Sequence, residues 1–119
     1  MKPSNSIINF ARNGAKNHNI DYPHKVVAIF YRKSTMIAMG FNQPYKTHVK
    51  AKTPYRTIHA EFDALMDLRR SISWGEHDLS KYSLYVHRVR RDGKDGLAKP
   101  CDYCSQMLDW AGIKDIYWS

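Results

Sequence analysis

The sequence predicts an α/β protein, a three-layer α/β/α sandwich around a mixed four-stranded sheet, and three observations carry that expectation. Helix-period and strand-period segments alternate along the chain. Two continuous β-branched and aromatic runs stand either side of a short polar turn, which reads as a hairpin. Near the end a strand, a helix and another strand follow one another, the pattern of a right-handed parallel crossover. At 119 residues and 43% hydrophobic content the chain is expected to form one domain over 1–119 with a buried core.

From Ser4 to Lys16, the residues Ile7, Ile8, Phe10, Ala11 and Ala15 have roughly helical spacing, with Ser4 or Asn5 as cap. Tyr22-Pro23 breaks that pattern. The runs Val26–Tyr31 and Met36–Phe41 are the hairpin strands, turning at Arg32-Lys33-Ser34. Residues 42–57 read as a loop with Pro44 and Pro54 as breakers. A helix follows over Ile58–Arg70, capped by Thr57, and a turn at Trp74-Gly75. Tyr82–Arg90 is the third strand, and Arg91–Lys99 a basic, glycine-containing loop. Pro100 suits the first position of a helix that runs through Met107, Leu108 and Trp110 and stops at Gly112. Ile113–Trp118 is the last strand.

Charge and cysteine usage narrow the function classes. Nineteen Lys and Arg against eleven Asp and Glu leave a net charge of +8, which favours anionic partners such as nucleotides or nucleic acid. There is no apolar run of bilayer length, so no membrane partner is expected. The opening Met1-Lys2-Pro3-Ser4-Asn5 leads into polar sequence rather than a secretory signal, and a cytoplasmic location follows. The two cysteines stand three positions apart, a spacing that reads as a metal site before a redox pair.

Chemistry concentrates at two predicted helix starts: His59-Ala60-Glu61, and Pro100-Cys101-Asp102-Tyr103-Cys104. Thiolates and a neutral imidazole suit tetrahedral Zn²⁺. Cysteines at i and i+3 share a helix face, and a helix N-terminus favours the thiolate. One histidine and two cysteines leave a fourth position for water, as catalytic zinc sites do. Glu61 points to another side of its helix than His59 and suits proton transfer. A structural zinc site would need a fourth ligand from His18, His24, His48, His77 or His87, none at a short spacing from the cysteines. A redox pair would leave His59 and Glu61 unexplained.

Together these residues form the H-x-E…P-C-x-x-C signature, and the chain resembles the cytidine/deoxycytidylate deaminase superfamily from the first predicted strand to the end. The resemblance implies a cytidine-deaminase-like fold, one Zn²⁺ per chain held by His59, Cys101 and Cys104, and Glu61 as the catalytic proton shuttle. Gly40-Phe41-Asn42 is similar to the family segment whose asparagine contacts substrate, which implies a substrate-binding role for Asn42. By position, the backbone at Ala60 and Pro100 borders the base. Histidine ahead of the Ala-Glu is similar to the deoxycytidylate, tRNA-adenosine and polynucleotide branches. Two departures stand out. The 62–99 interval is long, with the excess in Arg88–Gly96, and the sequence stops after the fourth strand. The open sheet edge left there predicts a homodimer.

The implied reaction is hydrolytic deamination of a cytosine nucleoside or nucleotide to the uracil product. The alternatives are deamination of cytosine or adenine within single-stranded DNA or RNA, and a non-catalytic zinc-stabilised nucleic-acid-binding module. Two basic segments are expected beside the pocket. The first is Lys46, Lys50, Lys52 and Arg56 with Tyr45, His48 and Tyr55 interleaved; the second is Arg88, Arg90, Arg91, Lys94 and Lys99.

Overall fold

Helix α1 (Asn5–Lys16) begins where the Ser4 hydroxyl accepts the backbone N–H of Ile7 at 3.3 Å. Ile7, Ala11 and Ala15 recur every fourth residue and are buried, whereas Phe10 is largely exposed. The computed structural model describes residues 1–18, 24–44, 57–72 and 79–119. The expected features at Tyr22-Pro23, Pro54 and Trp74-Gly75, and the basic segment from Lys46 to Arg56, lie outside the described residues.

Strands β1 (His24–Arg32) and β2 (Thr35–Phe41) form the expected antiparallel hairpin. The loop expected over 42–57 is paired at its two ends, β3 (Gln43–Pro44) lying antiparallel to β4 (Thr57–Ile58). That pairing keeps the backbone extended through Ile58, so helix α2 (Ala60–Ser71) takes His59 as its N-cap instead of Thr57. Strand β5 (Ser83–Arg90) lies antiparallel to the other side of β1. Within the expected basic loop, β6 (Asp95–Gly96) folds back on β5, so the excess length ahead of the metal-binding motif is a tight hairpin. Helix α3 (Asp102–Trp110) is capped by Cys101, two residues later than the start expected at Pro100. Strand β7 (Asp115–Trp118) runs parallel to β5, as the crossover required. The main sheet therefore has five strands, not four, in the order β2-β1-β5, with β6 and β7 sharing the far edge of β5.

Alternation along the central strands divides the core between two layers. Val27, Ile29 and Tyr31 of β1, with Tyr85 and Val89 of β5, pack on Ile7, Ala11 and Ala15 of α1. Ala28, Phe30, Leu84 and Val86 face Ala64, Leu65 and Leu68 of α2 and Leu108 of α3. This is the three-layer sandwich the sequence predicts. Among the described residues, no helix is long and apolar enough to cross a membrane.

Candidate metal centre

The start of α2 is placed by β2. As an edge strand, β2 turns backbone N–H groups away from β1, and two carboxylates of α2 take them. Asp67 Oδ2 accepts from Met39 N and Asp63 Oδ2 from Phe41 N, each at 3.0 Å. Four residues of helix advance about 6 Å and two residues of strand about 6.6 Å, so the two ladders match. Asp63 Oδ1 also accepts from Gln43 Nε2 at 2.9 Å. Gly40 lets the helix down onto the strand, because a Cβ there would lie 2.6 Å from the Ala60 carbonyl oxygen. Helix α2 thus runs opposite to β2 and delivers His59 beside the β3–β4 pair.

Two of the three expected ligands occupy N-cap positions. His59 and Cys101 both have extended backbone, and each carbonyl accepts the first helical N–H, from Asp63 and Ser105 respectively. Neither side chain caps its helix, which leaves both to turn toward the shared centre. His59 Nδ1 lies 3.2 Å from Cys104 Sγ and 3.5 Å from Cys101 Sγ, and the three donor atoms all lie within 4.8 Å of one another. Ligands of a tetrahedral zinc at ordinary bond lengths stand about 3.5 Å apart for N and S and about 3.8 Å apart for S and S. The donor set and its spacing fit a single Zn²⁺, and the two cysteines are free of disulfides. It is the one such His/Cys/Asp/Glu group among the described residues.

Glu61, the second residue of α2, is 5% exposed. Burial pushes its carboxyl above the usual range, against the opposing pull of its own backbone N–H, the Cys104 thiol and His59. Burial also pushes the Cys104 thiol up, reinforced by the negative charges of Glu61 and Cys101 nearby. A cation held at the centre reverses that balance, because coordinated thiols lose their protons. The centre therefore combines three soft-to-borderline ligands with a dry carboxyl, hydrogen-bonded to one of them, that favours carrying a proton.

The other expected site residues fall close by in the fold. Ala60 is buried as the first residue of α2, and Pro100 is buried immediately before Cys101. Asn42 braces β1: its Oδ1 accepts from Val26 N and its Nδ2 donates to the His24 carbonyl, both at 2.9 Å. None of the described spare histidines joins the centre. His18 bonds the Asn42 carbonyl, His24 bonds Arg88, and His87 lies between Tyr85 and Asp95. Sequence reasoning missed Asp63 and Asp67. Their i, i+4 spacing on the predicted helix was the available signal, but it acquires meaning only once β2 is known to be an edge.

Comparison with known proteins agrees with this geometry. The profile of the cytidine and deoxycytidylate deaminase zinc-binding region matches residues 1–119. No curated protein sequence matches the chain. Among solved structures, the dCMP deaminase of cyanophage S-TIM5 in complex with dCMP and dUMP is similar at TM-score 0.65 and 22% identity, over 99% of this chain and 82% of that one. Guanine deaminase from Bacillus subtilis is similar at 0.57 and 20%, over 92% and 57%. Cytidine deaminase from Mycobacterium tuberculosis is similar at 0.55 and 19%, over 92% and 77%. Those likenesses establish the fold, and the profile match over the whole sequence places this chain in the cytidine and deoxycytidylate deaminase family, with a zinc centre built from His59, Cys101 and Cys104.

Proposed function

We propose that this chain hydrolyses the exocyclic amine of a cytosine nucleoside or nucleotide, giving the uracil product and ammonia. The observation that carries the reading is the buried Glu61 carboxyl in contact with Cys104 of a three-ligand centre. Zinc, when bound, supplies a water acidified enough to attack at neutral pH. Glu61 would take the proton that this water gives up and deliver it to the ring nitrogen beside the attacked carbon. It would then take the second proton from the new hydroxyl, as the carbonyl forms, and pass it to the amine as the C–N bond breaks. Water adds and ammonia leaves, so no redox partner is required. A carboxyl biased by burial toward its protonated form suits the two deliveries. The backbone at Ala60 and Pro100, both buried next to the ligands, borders the base, and Asn42 holds the start of β1 in place. The dCMP and dUMP bound by the cyanophage relative support a pyrimidine substrate.

The test is a substrate panel given to zinc-loaded protein: cytosine, cytidine, deoxycytidine, their monophosphates, and single-stranded oligonucleotides. Conversion of a nucleoside or mononucleotide, abolished by Glu61→Gln with zinc retained, is the expected result. Conversion confined to oligonucleotides, or bound zinc with no conversion at all, sinks the reading.

A further inference from the structure

Arg88 is on the metal-bearing face. Alternation along β5 groups it with Leu84 and Val86, which pack against α2 and α3. Its partner across β1 is Val26, whose carbonyl accepts the backbone N–H of Asn42. Asn42, Val26 and Arg88 therefore form one row across the sheet. Asn42 adjoins Gln43, which pairs with Ile58 immediately before His59. The row is thus level with the start of α2, where the metal centre is built.

Among the described residues, the guanidinium there is bonded only to neutral groups. Nη1 donates to the Leu97 carbonyl at 3.4 Å, on the segment leading into Pro100-Cys101, and Nη2 donates to His24 Nδ1 at 2.6 Å. Burial, with the nearby charges of Arg88 and Arg91, lowers the pKa of His24, which keeps that ring neutral and an acceptor. Arg12, Arg70 and Arg90 each pair with an aspartate, whereas Arg88 has no such partner among the described residues. Its Nε is buried and has no hydrogen-bond partner among the described residues. A half-buried guanidinium with no carboxylate partner among the described residues is an oriented receptor for an anion, and planar Arg donors match phosphate oxygens.

Resting on the deaminase reading above, we infer that Arg88 selects the substrate by taking the phosphate of a nucleoside monophosphate, so that the site works on a mononucleotide and not on the neutral nucleoside. The phosphate takes the remaining N–H groups of the exposed Nη1 and Nη2, and His24 holds the guanidinium in position.

Two readouts test this. The first is calorimetric binding of the products dUMP and deoxyuridine to zinc-loaded protein, which needs no turnover. The second is kcat/KM on dCMP and deoxycytidine. Wild type is expected to favour the phosphorylated member of each pair by roughly ten- to hundredfold, the range of a charge-assisted hydrogen bond. In Arg88→Gln that preference is expected to collapse toward unity, with Arg88→Lys in between. Equal wild-type affinities for dUMP and deoxyuridine overturn the assignment even if the variants fail to fold. So does an unchanged preference in a folded Arg88→Gln. Loss of oligonucleotide binding in that variant, with dUMP binding intact, also overturns it by moving the phosphate to a polynucleotide. Tight, Arg88-dependent dUMP binding without any deamination supports the assignment while refuting the deaminase reading. Equal turnover of both cytosine compounds does the reverse.

Discussion

Gly40 and Ala64 meet backbone to backbone: a Cβ built on Gly40 would lie 2.7 Å from the Ala64 Cα. The contact sets how deeply α2 seats on β2, and so where His59 and Glu61 sit at the head of that helix. Gly40→Ala must therefore push α2 outward. The expected loss is at least about 1–3 kcal/mol, as for other overpacked sites, with zinc affinity falling alongside. Urea unfolding and zinc content per chain check both parts, and a variant with unchanged zinc affinity would separate helix seating from the metal centre.

The carboxylates of α2 are expected to hold the same joint from the other side. Asp63→Ala leaves the Phe41 N–H and the Gln43 amide without their acceptor, which should destabilise the protein by about 1–3 kcal/mol. Asp63→Asn retains one carbonyl oxygen and should fall between the two. Denaturant midpoints of the three proteins give the ranking.

Much of this was legible in the sequence, for physical reasons that differ by element. The hairpin, α1 and the crossover show because apolar residues must follow the 2.0 and 3.6 periods to reach a core. His59, Glu61, Cys101 and Cys104 show because few residue types ligate zinc or shuttle protons. The helix starts were displaced because Thr57 and Pro100 are good local start signals, yet β3–β4 pairing keeps the chain extended up to His59, and His59 and Cys101 take the caps. Strand β6 was hidden because Asp95 and Gly96 have poor strand propensity; it forms through pairing with Arg88 and Val89 and through Asp95 contacts to His87 and Arg12. Asp63 and Asp67 look like ordinary surface acids until the edge they satisfy is known.

Zinc binding should depend on all three ligands and feed into stability. His59→Ala and Cys104→Ser are each expected to lose stoichiometric zinc. A chelator should lower the melting temperature of wild type and leave both variants unmoved, since only the folded state presents the assembled donors. Elemental analysis and melting curves with and without chelator check this.

The Arg12 guanidinium, through its hydrogen bonds, together with His87, holds the Asp95 carboxyl below its ordinary value of 3.8. With the folded pKa depressed, the unfolded chain takes up the proton first as pH falls. The contribution is therefore present above 3.8 and is lost as pH drops from there through the folded value. Asp95→Asn should be less stable than wild type at neutral pH, by less than about 1 kcal/mol because the pair is partly exposed, and the gap should close in acid. Unfolding free energies at neutral pH and below pH 3.8 test the sign.

The most direct test of the central claim is mass spectrometry of dCMP and deoxycytidine after incubation with zinc-loaded wild type and with zinc-loaded Glu61→Ala. The account predicts the amino-to-oxo mass change with wild type and a rate lower by about a hundredfold or more in the variant, which keeps its zinc. Conversion at the same rate by both proteins would contradict it, as would zinc-loaded wild type that leaves both compounds unchanged.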